Sequence, residues 1–358
     1  ELTTDWRRGE NMRLGKHIAI VGAGVVGLAT ALRLRREGYR VTLFDPADPG
    51  TQASAGNAGL IMTAHATPLS QRGMWRRVPG MLKDPLGPLV IRRGHRLKLL
   101  PWFRQFLKNS KRGQVETIGA ALAPMVTHAL EAWLGLLNPS EAARLLRQEG
   151  LLYVYQSRRN LYVARKEAAF RARFDIPSEI ISAEGLREME PALGKGLAGG
   201  VFYPSSAHCV DPQALCASVL SAFRTSGGEV KRTQVLSLSP SLDGVTLVTD
   251  DGNFTHDEVV VAAGIWSASL VKPLGIKAML APERGYHLML RHPGITLRRP
   301  IAAGDHKFII SPLSGGIRLA GTAEFAAVNA TPDWQRADIL LPLAQRLMPN
   351  LTGETTAT

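Results

Sequence analysis

The sequence predicts an α/β protein: a parallel-sheet domain into which an α+β second domain, built on an antiparallel sheet, is inserted. Three observations carry this prediction. A short apolar strand at 17–21 leads into a glycine-rich turn and a helix, strand patterns typical of antiparallel pairing start near residue 151, and another buried strand at 259–264 ends in small residues. With 358 residues, 45% of them hydrophobic, the chain can form two such domains.

The turn after the first strand is the most informative element. Gly22, Gly24 and Gly27 fit the pattern G-x-G-x-x-G. The first glycine permits a tight turn, the second lets the backbone approach a pyrophosphate, and the third lets the helix pack closely on the strand. The unpaired N–H groups of the first helical turn favour a phosphate there. The predicted phosphate-binding turn comprises Gly22, Ala23, Gly24, Val25, Val26 and Gly27.

The residues after the turn complete a Rossmann-like unit. Residues 25–37 have helical periodicity, Gly38 terminates the helix, and 41–44 form a second buried strand that ends at Asp45. An acidic residue at this place can accept hydrogen bonds from a ribose diol. The alternative is a Rossmann unit without a ligand, in which Asp45 only caps a turn before Pro46. Because strand, glycines, helix, strand and acid are in register, we predict a dinucleotide site.

Other regions indicate the second domain. The stretches 151–155 and 161–164 flank a polar turn and predict a β-hairpin. A strand-rich pattern also covers 284–325. Between them, small residues at the end of the strand 259–264 would let a ligand or backbone approach closely. We therefore expect the nucleotide-binding domain to resume there, with a tight turn before a helix as the alternative.

Positive charge is concentrated in one segment. The net charge of the chain is +13, and residues 72–112 hold twelve Lys and Arg against Asp84 alone, which gives +11. Trp and aliphatic residues are interleaved with these charges. Basic amphipathic segments of this kind can lie in the headgroup region of an anionic membrane. The alternative is a solvated surface whose apolar face packs on the protein's own core. No nucleic-acid motif is present, so no nucleic acid is predicted as a partner.

The remaining composition excludes several classes of protein. Cys209 and Cys216 suggest no disulfide framework or metal-binding pair, and the nine histidines show no metal-ligand spacing. No run approaches the roughly 18 apolar residues of a membrane-spanning helix. Residues 1–14 lack the apolar segment of a signal peptide. We expect no metal ion, and a cytoplasmic location with peripheral attachment to the inner face of the membrane.

Six stretches together resemble the FAD-dependent amino acid oxidoreductases of the D-amino acid dehydrogenase, glycine oxidase and sarcosine oxidase group. They occur in the family's order along the chain, and the Asn57-Ala58-Gly59 stretch is most similar to the D-amino acid dehydrogenase branch. The stretches are the glycine turn with Asp45, Ser54–Gly59, Val210–Pro212, Ala262–Ser267, Pro282–Tyr286 and Gly315–Glu324.

The resemblance implies an FAD site. The glycine turn and Asp45 would hold the ADP half of FAD. Along the flavin and its pyrophosphate, the resemblance places Ser54, Asn57, Ala58 and Gly59. It assigns the backbone of Val235 to the adenine. A second segment along the pyrophosphate is assigned to Ala263, Gly264 and Trp266.

The resemblance also implies a substrate site and a reaction. Tyr286 is similar to a substrate-pocket position, with Arg284 and His287 nearby, although Tyr286 is equally compatible with an ordinary strand tyrosine. A hydride would pass from the α-carbon of a D-amino acid, or a related cyclic or secondary amine, to flavin N5. The resulting imine would hydrolyse to a keto acid and ammonia. This step needs orientation rather than a protein nucleophile or acid–base pair, so no catalytic residue is assigned.

The electron acceptor and the end of the chain leave alternatives open. The branch resemblance and the basic segment favour a dehydrogenase that passes electrons to a quinone-type acceptor. The alternatives are a soluble glycine- or sarcosine-type amine oxidase that uses oxygen, and a truncated, inactive flavin-binding or membrane-surface protein. A truncated protein is an alternative because relatives continue past the position of Thr358 with a Trp-x-Gly-x-Arg-Pro-like segment. We expect this C-terminal segment, which includes a substrate-binding arginine in the glycine oxidase branch, to be missing here.

The predicted domain boundaries combine these arguments. The FAD-binding domain is expected to comprise 15–70 and 196–281, and the substrate domain 113–195 and 282–330. The basic amphipathic segment takes 71–112, and 331–358 are expected to be a truncated return towards the FAD-binding domain.

Overall fold

The computed structural model describes residues 15–70, 87, 89–97 and 99–357. The strands are β1 (His17–Val21), β2 (Arg40–Phe44), β3 (Leu60–Ile61), β4 (Leu89–Ile91), β5 (Leu146–Arg147), β6 (Leu151–Tyr155), β7 (Glu179–Ile181), β8 (Gly199–Tyr203), β9 (Ala207–Cys209), β10 (Glu229–Lys231), β11 (Val235–Ser241), β12 (Gly244–Thr249), β13 (Gly252–His256), β14 (Glu258–Val261), β15 (Glu283–Arg291), β16 (Ile301–Ala303), β17 (Phe308–Leu313), β18 (Gly316–Phe325) and β19 (Glu354–Ala357).

The α-helices of the same residues are mostly short. They are α1 (Val25–Arg36), α2 (Leu100–Asn109), α3 (Arg112–Thr127), α4 (Ala129–Leu136), α5 (Pro139–Leu145), α6 (Arg158–Ala172), α7 (Ala183–Met189), α8 (Pro212–Thr225), α9 (Ser267–Val271), α10 (Gln335–Asp338) and α11 (Leu340–Gln345). Short 3₁₀ helices occupy Arg93–His95, Gly264–Trp266 and Lys272–Leu274. Among the described residues no helix is both long and apolar enough to cross a bilayer.

The chain forms two compact units. Unit 1 takes the described residues up to Gly56, then Gly135–Glu141 and Pro212–Leu280. Unit 2 takes the described residues of Asn57–Leu134, Ala142–Asp211 and Ala281–Thr358. The chain therefore passes several times between the two units, as expected for one domain inserted into another.

Unit 1 is built on a parallel sheet with the strand order β10–β2–β1–β14. α1 makes the crossover from β1 to β2 and buries Leu28, Ala31 and Leu32, which lie on one face of the helix. An antiparallel sheet of β11, β12 and β13 shares a hydrophobic core with the parallel sheet, in which Phe44 and Leu247 are fully buried. The predicted Rossmann-like α/β domain is confirmed.

Unit 2 is built on a large sheet with the order β19–β15–β18–β17–β16–β6–β8–β7, in which β4 also pairs with β18. Its pairs are antiparallel except β16 with β6 and β18 with β4. One face packs against apolar residues of α7 and α11, which include Leu186 and Leu340. A smaller sheet contains β3, β9 and β5 in this order. The predicted antiparallel, α+β second domain is confirmed.

The units divide the chain at positions that differ from the predicted boundaries. Residues 57–70 and 196–211 lie in unit 2, because β3 pairs with β9 and β8 pairs with β6 there. The end of the chain also lies in unit 2, where β19 pairs with β15. The assignment of these units to cofactor and substrate stays a prediction.

The predicted hairpin at 151–155 and 161–164 is wrong. The first stretch is β6, which pairs with β8, but the second lies inside α6. The Ser157 Oγ caps this helix by accepting a hydrogen bond from the Asn160 N–H. Leu161, Ala164 and Ala168 are buried at helical spacing. A good N-cap and one apolar stripe therefore outweigh the strand propensity of the residues around Tyr162.

The basic segment is described only in part, because residues 71–86, 88 and 98 lie outside the described residues. In α2, Trp102 and Phe103 are half-buried and pack against Ile91, Leu99 and Phe325 of unit 2. Other apolar side chains of the basic segment are exposed: Leu97, before α2, is 79% exposed, and Leu100 and Leu107, in α2, are 52% and 45% exposed. Part of the apolar face therefore serves the protein's own core and part lies open.

Candidate functional site

The glycine turn after β1 has no room for side chains at its first and last glycine. Gly22 has φ +106°, and a Cβ there would lie 2.5 Å from the Ala262 carbonyl oxygen. A Cβ at Gly27 would lie 1.8 Å from the Gly22 carbonyl oxygen, because α1 crosses the turn at this point. Both contacts are with backbone, which cannot move aside without breaking the unit. The turn therefore requires glycine at 22 and 27.

Two side chains from later in the sequence brace this turn. The Asp45 Oδ2 accepts a hydrogen bond of 2.7 Å from the Ala23 N–H, and its Oδ1 accepts one of 2.8 Å from the Ala47 N–H. The Ser54 Oγ accepts one of 2.9 Å from the Val25 N–H, at the first position of α1. A carboxylate has about four acceptor positions, so Asp45 retains capacity for a ribose hydroxyl.

The second predicted phosphate segment lies beside the glycine turn. β14 pairs in parallel with β1, and the Ala262 N–H donates to the Val21 carbonyl at 2.8 Å. A Cβ on Gly22 would also lie 2.8 Å from the Ala263 Cα. Gly264 follows with φ +53° and open space where its Cβ would be. The structure thus brings the predicted residues after β1 and β14 together at one edge of the sheet.

The other predicted residues of unit 1 differ in their exposure. Val26, in the first turn of α1, is 64% exposed, and Trp266 is 54% exposed. Val235 is buried in the core with Phe44, so only its backbone is available to a ligand, as predicted for the adenine. α1 has no capping side chain at Gly24, and a Cβ at Gly24 would meet only the Ser54 Oγ, at 3.3 Å. An exposed helix N-terminus over a glycine turn fits a dinucleotide pyrophosphate.

The predicted flavin-facing turn Asn57–Gly59 belongs to unit 2 and is held by hydrogen bonds. The Gly59 N–H donates to the Asn57 Oδ1 at 2.6 Å, and the Gly59 carbonyl accepts from the Cys209 N–H at 2.6 Å. The Ser311 Oγ donates to the Ala58 carbonyl at 2.7 Å. Gly59 has φ +72°, and a Cβ there would lie 2.4 Å from the Cys209 carbonyl oxygen.

Arg318 completes the support of this turn, since its Nη1 donates to the Asn57 carbonyl at 2.7 Å. Arg318 lies on β18 between Ile317 and Leu319, which are both buried in the core. Strand alternation therefore directs Arg318 to the opposite face of the sheet. Burial lowers the pKa of the Arg318 guanidinium, and the charge of Asp211 acts against this.

His287 lies on the same sheet face as Arg318. It pairs with Ala320 across β15 and β18, two residues along the strand from Arg318. Burial, and then the positive charge of Arg318, lower the pKa of His287 to about 4. At neutral pH this imidazole is uncharged, and it can accept or donate one hydrogen bond at each nitrogen according to its tautomer.

Tyr286 and Arg284, the other predicted substrate residues, contact a buried carboxylate. The Tyr286 side chain is 2% exposed, its hydroxyl donates to the Glu324 Oε2 at 2.7 Å, and it accepts from the Asp333 N–H at 2.9 Å. The Arg284 Nη2 donates to the Ala330 carbonyl at 2.6 Å. Both hydrogen-bonding functions of the Tyr286 hydroxyl are thus used inside the protein.

The sequence did not predict Ser311 and Arg318 as residues that hold the Asn57–Gly59 turn. Arg318 lies in a stretch that was part of the family resemblance, but no role followed from its residue type alone. The available signal was strand alternation, since a lone arginine between Ile317 and Leu319 marks the solvent or ligand face of a strand. No metal site is evident among the described residues: no group of three or more His, Cys, Asp and Glu side chains gathers there.

Comparison with known proteins identifies relatives over most of the chain. A D-amino-acid oxidase of Bradyrhizobium diazoefficiens is 34% identical over 349 residues, which are 96% of this chain and 82% of the relative. A D-amino acid dehydrogenase of Paramagnetospirillum magneticum is 30% identical over 353 residues, 93% of this chain and 81% of the relative.

Solved structures support the same fold. A glycine oxidase from Geobacillus kaustophilus superposes with a TM-score of 0.69 at 22% identity, covering 96% of this chain and 82% of that one. An L-proline dehydrogenase from P. horikoshii superposes with a TM-score of 0.67 at 16% identity, covering 96% and 80%.

The match to a protein family covers the glycine turn and both units. The family described as FAD dependent oxidoreductase (DAO) matches residues 17–358. With the two relatives above, this match settles the resemblance predicted from the sequence, and the cofactor with it. The chain is a member of the DAO family of FAD-dependent oxidoreductases.

Proposed function

We propose that this oxidoreductase oxidises a D-amino acid, or a related cyclic or secondary amine, to an imine. Water converts the imine of a primary amino acid to a keto acid and ammonia. The observation that carries the proposal is the 34% identity, over 96% of the chain, to a protein named D-amino-acid oxidase. The further relatives named D-amino acid dehydrogenase, at 30% and 27% identity, act on the same substrate class by their names.

Unit 1 would hold the ADP half of FAD. Backbone N–H groups of the Gly22–Gly27 turn face the pyrophosphate in this proposal, with the positive end of the α1 dipole behind them. Asp45 holds the turn through Ala23 and accepts from the ribose. When bound, the flavin accepts the hydride that leaves the substrate α-carbon, so the protein needs no nucleophile of its own.

Unit 2 would orient the substrate on the sheet face that carries Arg318 and His287. The positive charge of Arg318 attracts the substrate carboxylate. His287, uncharged because its pKa is about 4, accepts a hydrogen bond from the amine without repelling it. Amine oxidation requires the neutral amine and a fixed C–H bond, and both requirements concern orientation and charge rather than covalent catalysis.

A product assay tests this proposal. We expect the purified holoprotein to release keto acid and ammonia in equal amounts from one or more D-amino acids, with slower or no turnover of the L-enantiomers. Turnover confined to L-amino acids or to glycine would contradict the substrate proposed here. The variant Arg318→Met is expected to raise the KM of the best substrate, whereas Arg346→Met, a change of another unit 2 arginine, is expected to leave it unchanged.

The electron acceptor has two candidates. We propose a quinone-type acceptor, because several relatives at 27–30% identity are named dehydrogenases. Molecular oxygen is the second candidate, because the relative at 34% identity is named an oxidase. Rapid mixing of the substrate-reduced enzyme with oxygen or with a soluble quinone distinguishes them. A faster reoxidation by oxygen, with hydrogen peroxide as product, would contradict the dehydrogenase proposal.

We also propose that α2 and the residues after it bind an anionic lipid surface. Arg104, Lys108, Lys111 and Arg112 are exposed next to the exposed apolar side chains Leu100 and Leu107. Each basic residue close to an anionic lipid surface contributes about 1 kcal/mol to the free energy of binding. This attachment would bring the reduced enzyme to a membrane-bound quinone.

Vesicle sedimentation tests the lipid surface with a matched control. Changing Arg104, Lys108, Lys111 and Arg112 to Glu is expected to abolish binding to vesicles that contain phosphatidylserine. The control changes four exposed basic residues of α6, Arg158, Arg159, Arg165 and Lys166, to Glu. Equal loss in both variants would mean that only net charge matters, and unchanged binding in the α2 variant would exclude this surface.

A further inference from the structure

A cleft on the surface of unit 2 lies where the ends of β5, β9 and β17 meet the residues before β16. It encloses about 420 Å³, a volume within the range of roughly 300–1,000 Å³ that is typical of small-molecule sites. Neither Arg318 nor His287 is among the described residues that line it. The cleft is therefore separate from the sheet face proposed for the substrate. Its polar lining consists of Arg147, Glu149, His208, Arg298 and Ser314.

His208 is the innermost polar residue of this lining, with 1% exposure. It lies on β9 directly opposite Arg147 of β5, so the two side chains are neighbours on one face of the small sheet. Burial, and then the charge of Arg147, lower the pKa of His208 to about 4, so the imidazole is uncharged at neutral pH. The buried Nδ1 of this ring has no hydrogen-bond partner among the described residues. Because buried polar atoms are nearly always paired, a ligand that supplies the partner would be favoured here.

The guanidinium group of Arg147 is held in place at the end of α5. Its Nη1 donates to the carbonyls of Ala143, Arg144 and Leu146, at 2.9, 3.3 and 2.9 Å. Within the part of the chain that the structure describes, these bonds all come from Nη1. The Nε and Nη2 groups therefore stay available to a ligand, on a side chain whose position is already fixed.

Backbone contacts bring the other segments to the same cleft. The Arg299 Nη1 donates to the Glu149 carbonyl at 3.2 Å, which holds the neighbouring Arg298 beside Glu149. The Ser314 N–H donates to the Val210 carbonyl at 2.8 Å, which joins the end of β17 to the end of β9. The cleft is thus built from segments of fixed register.

The side chains of Arg298 and Glu149 are exposed in this cleft. Neither forms an ion pair with another described residue, whereas the adjacent Arg299 is paired with Glu190. Together with Arg147, the cleft therefore presents two guanidinium groups and one carboxylate.

These charges select among small ligands. Guanidinium groups bind carboxylates by paired, charge-assisted hydrogen bonds. Glu149 repels a simple anion but attracts an ammonium group. The rest of the lining is apolar and suits a hydrocarbon side chain; it consists of Val210, Leu297, Pro312 and Leu313. Only a zwitterion with an apolar body matches all three parts of the cleft.

We infer that this cleft is a second binding site for a free α-amino acid with a small apolar side chain. The carboxylate of the ligand lies at Arg147 and Arg298, its ammonium group lies at Glu149, and His208 supplies a further hydrogen bond. None of the residues assigned to FAD lines the cleft, so the ligand binds here without being oxidised. The site goes beyond the proposed function and does not depend on it.

Isothermal titration of the holoprotein with cycloleucine tests the site. This amino acid has an apolar ring and no hydrogen on its α-carbon, so it cannot donate a hydride and turnover cannot interfere. Arg298→Met is expected to weaken the binding of cycloleucine at least about fivefold. Arg159→Met, which removes an exposed arginine of α6, is the matched control and should leave the Kd unchanged. Arg318→Met, on the proposed substrate face, should leave this Kd unchanged as well.

A second pair of titrations tests the role of Glu149. Cyclopentanecarboxylate, which lacks the amino group, is expected to bind the wild type at least about fivefold more weakly than cycloleucine. Glu149→Gln should weaken the binding of cycloleucine and strengthen that of cyclopentanecarboxylate. Because Arg298 and Glu149 are both exposed, we expect the two variants to fold with the Tm of the wild type.

Several results would overturn the inference. One is a wild type that does not bind cycloleucine. Another is binding that Arg318→Met abolishes and Arg298→Met preserves, which would place the probe on the proposed substrate face. Equal weakening by Arg298→Met and Arg159→Met would mean that only net charge matters. An equal change in the affinity for both probes in Glu149→Gln would exclude the ammonium contact. Failure of the proposed function is seen separately, as a flavin that no D-amino acid reduces.

Discussion

Two turns that the family resemblance assigns to FAD, one in each unit, are held in different ways. The Gly22–Gly27 turn of unit 1 is braced by Asp45, 22 residues from Ala23, and by Ser54, 29 residues from Val25. The Asn57–Gly59 turn of unit 2 is held by side chains from 253 and 261 residues away, Ser311 and Arg318. The first turn is a local motif, and the second is a product of the completed sheet.

Each turn is therefore sensitive to a different kind of substitution. The glycine turn depends on the absence of side chains at positions where backbone crosses backbone. The Asn57–Gly59 turn shares this dependence at Gly59, and it depends in addition on particular donors on β9, β17 and β18. Substitutions that add atoms should therefore act most strongly on the first turn, and substitutions that remove donors should act on the second.

The largest expected effect is that of Gly27→Ala. Its Cβ would lie 1.8 Å from the Gly22 carbonyl oxygen, so α1 must move away from β1. We expect a loss of more than about 3 kcal/mol of stability and no bound flavin. Urea unfolding and the flavin content of the purified protein measure both.

Gly24→Ala is the matched control, because its Cβ would meet only the Ser54 Oγ at 3.3 Å. This variant should fold with nearly unchanged stability and bind FAD more weakly. Equal damage from both substitutions would contradict the packing explanation.

Gly59→Ala applies the same test to the turn of unit 2. The added Cβ would lie 2.4 Å from the Cys209 carbonyl oxygen, at φ +72°. We expect a loss of about 2–3 kcal/mol, measured by urea unfolding. Gly113→Ala, where a Cβ would meet nothing within 4 Å, provides the control in unit 2 and should not destabilise. A stability of Gly59→Ala equal to that of the wild type would show that the turn is not held as described.

Acid should affect unit 1 through His256, which is 5% exposed. The ring centroids of His256 and His17 lie 4.2 Å apart. Burial, and then the charge of His17, lower the pKa of His256 to about 4. The unfolded chain takes up a proton near pH 6.5 and the folded chain only near pH 4, so stability falls as the pH drops between these values.

The free energy of unfolding of the wild type should therefore fall as the pH drops from 7.5 to 5. In His256→Leu this fall is expected to be smaller by about 2 kcal/mol. Thermal unfolding at the two pH values gives the difference. His292→Leu, at an exposed position of unit 2, is the control and should follow the wild type. The same loss in His256→Leu and the wild type would exclude His256 as the origin of the acid sensitivity.

The smallest expected effect is that of Ser311→Ala, which removes one buried donor from the Ala58 carbonyl. We expect a loss of about 1 kcal/mol and a shift of the flavin absorption maximum. Ser241→Ala, at an exposed position of unit 1, removes a comparable bond to the Gly244 carbonyl and should change neither. An unshifted flavin spectrum in Ser311→Ala would indicate that the Asn57–Gly59 turn does not lie along the flavin.

The same contrast explains what the sequence could predict. The strand, glycine turn, helix, strand and Asp45 of unit 1 were predicted in the correct order because their determinants lie within about 30 residues of each other. The strand that ends in small residues was also predicted, but its pairing with β1 was not. The structure pairs β14 in parallel with β1, so both strands end at the same edge of the sheet.

Predictions failed or were missing where a partner lies far away in the sequence. The strand propensity around Tyr162 indicated a hairpin. The Ser157 cap and a buried helical face instead stabilise α6 there. The contact of Arg318 with Asn57 depends on the register of β18, which no local pattern determines. The buried partner of Tyr286, Glu324, lies 38 residues away on a neighbouring strand. Resemblance to a family indicated the position of Tyr286 but not its surroundings.

The central claim is that this FAD-dependent oxidoreductase oxidises D-amino acids. The most direct test is the visible absorption spectrum of the holoprotein under anaerobic conditions, before and after addition of single D-amino acids and their L-enantiomers. We expect at least one D-amino acid to bleach the oxidised flavin bands, and the bands to return when an electron acceptor is added. Flavin bands that no D-amino acid bleaches, or that only L-amino acids bleach, would contradict it.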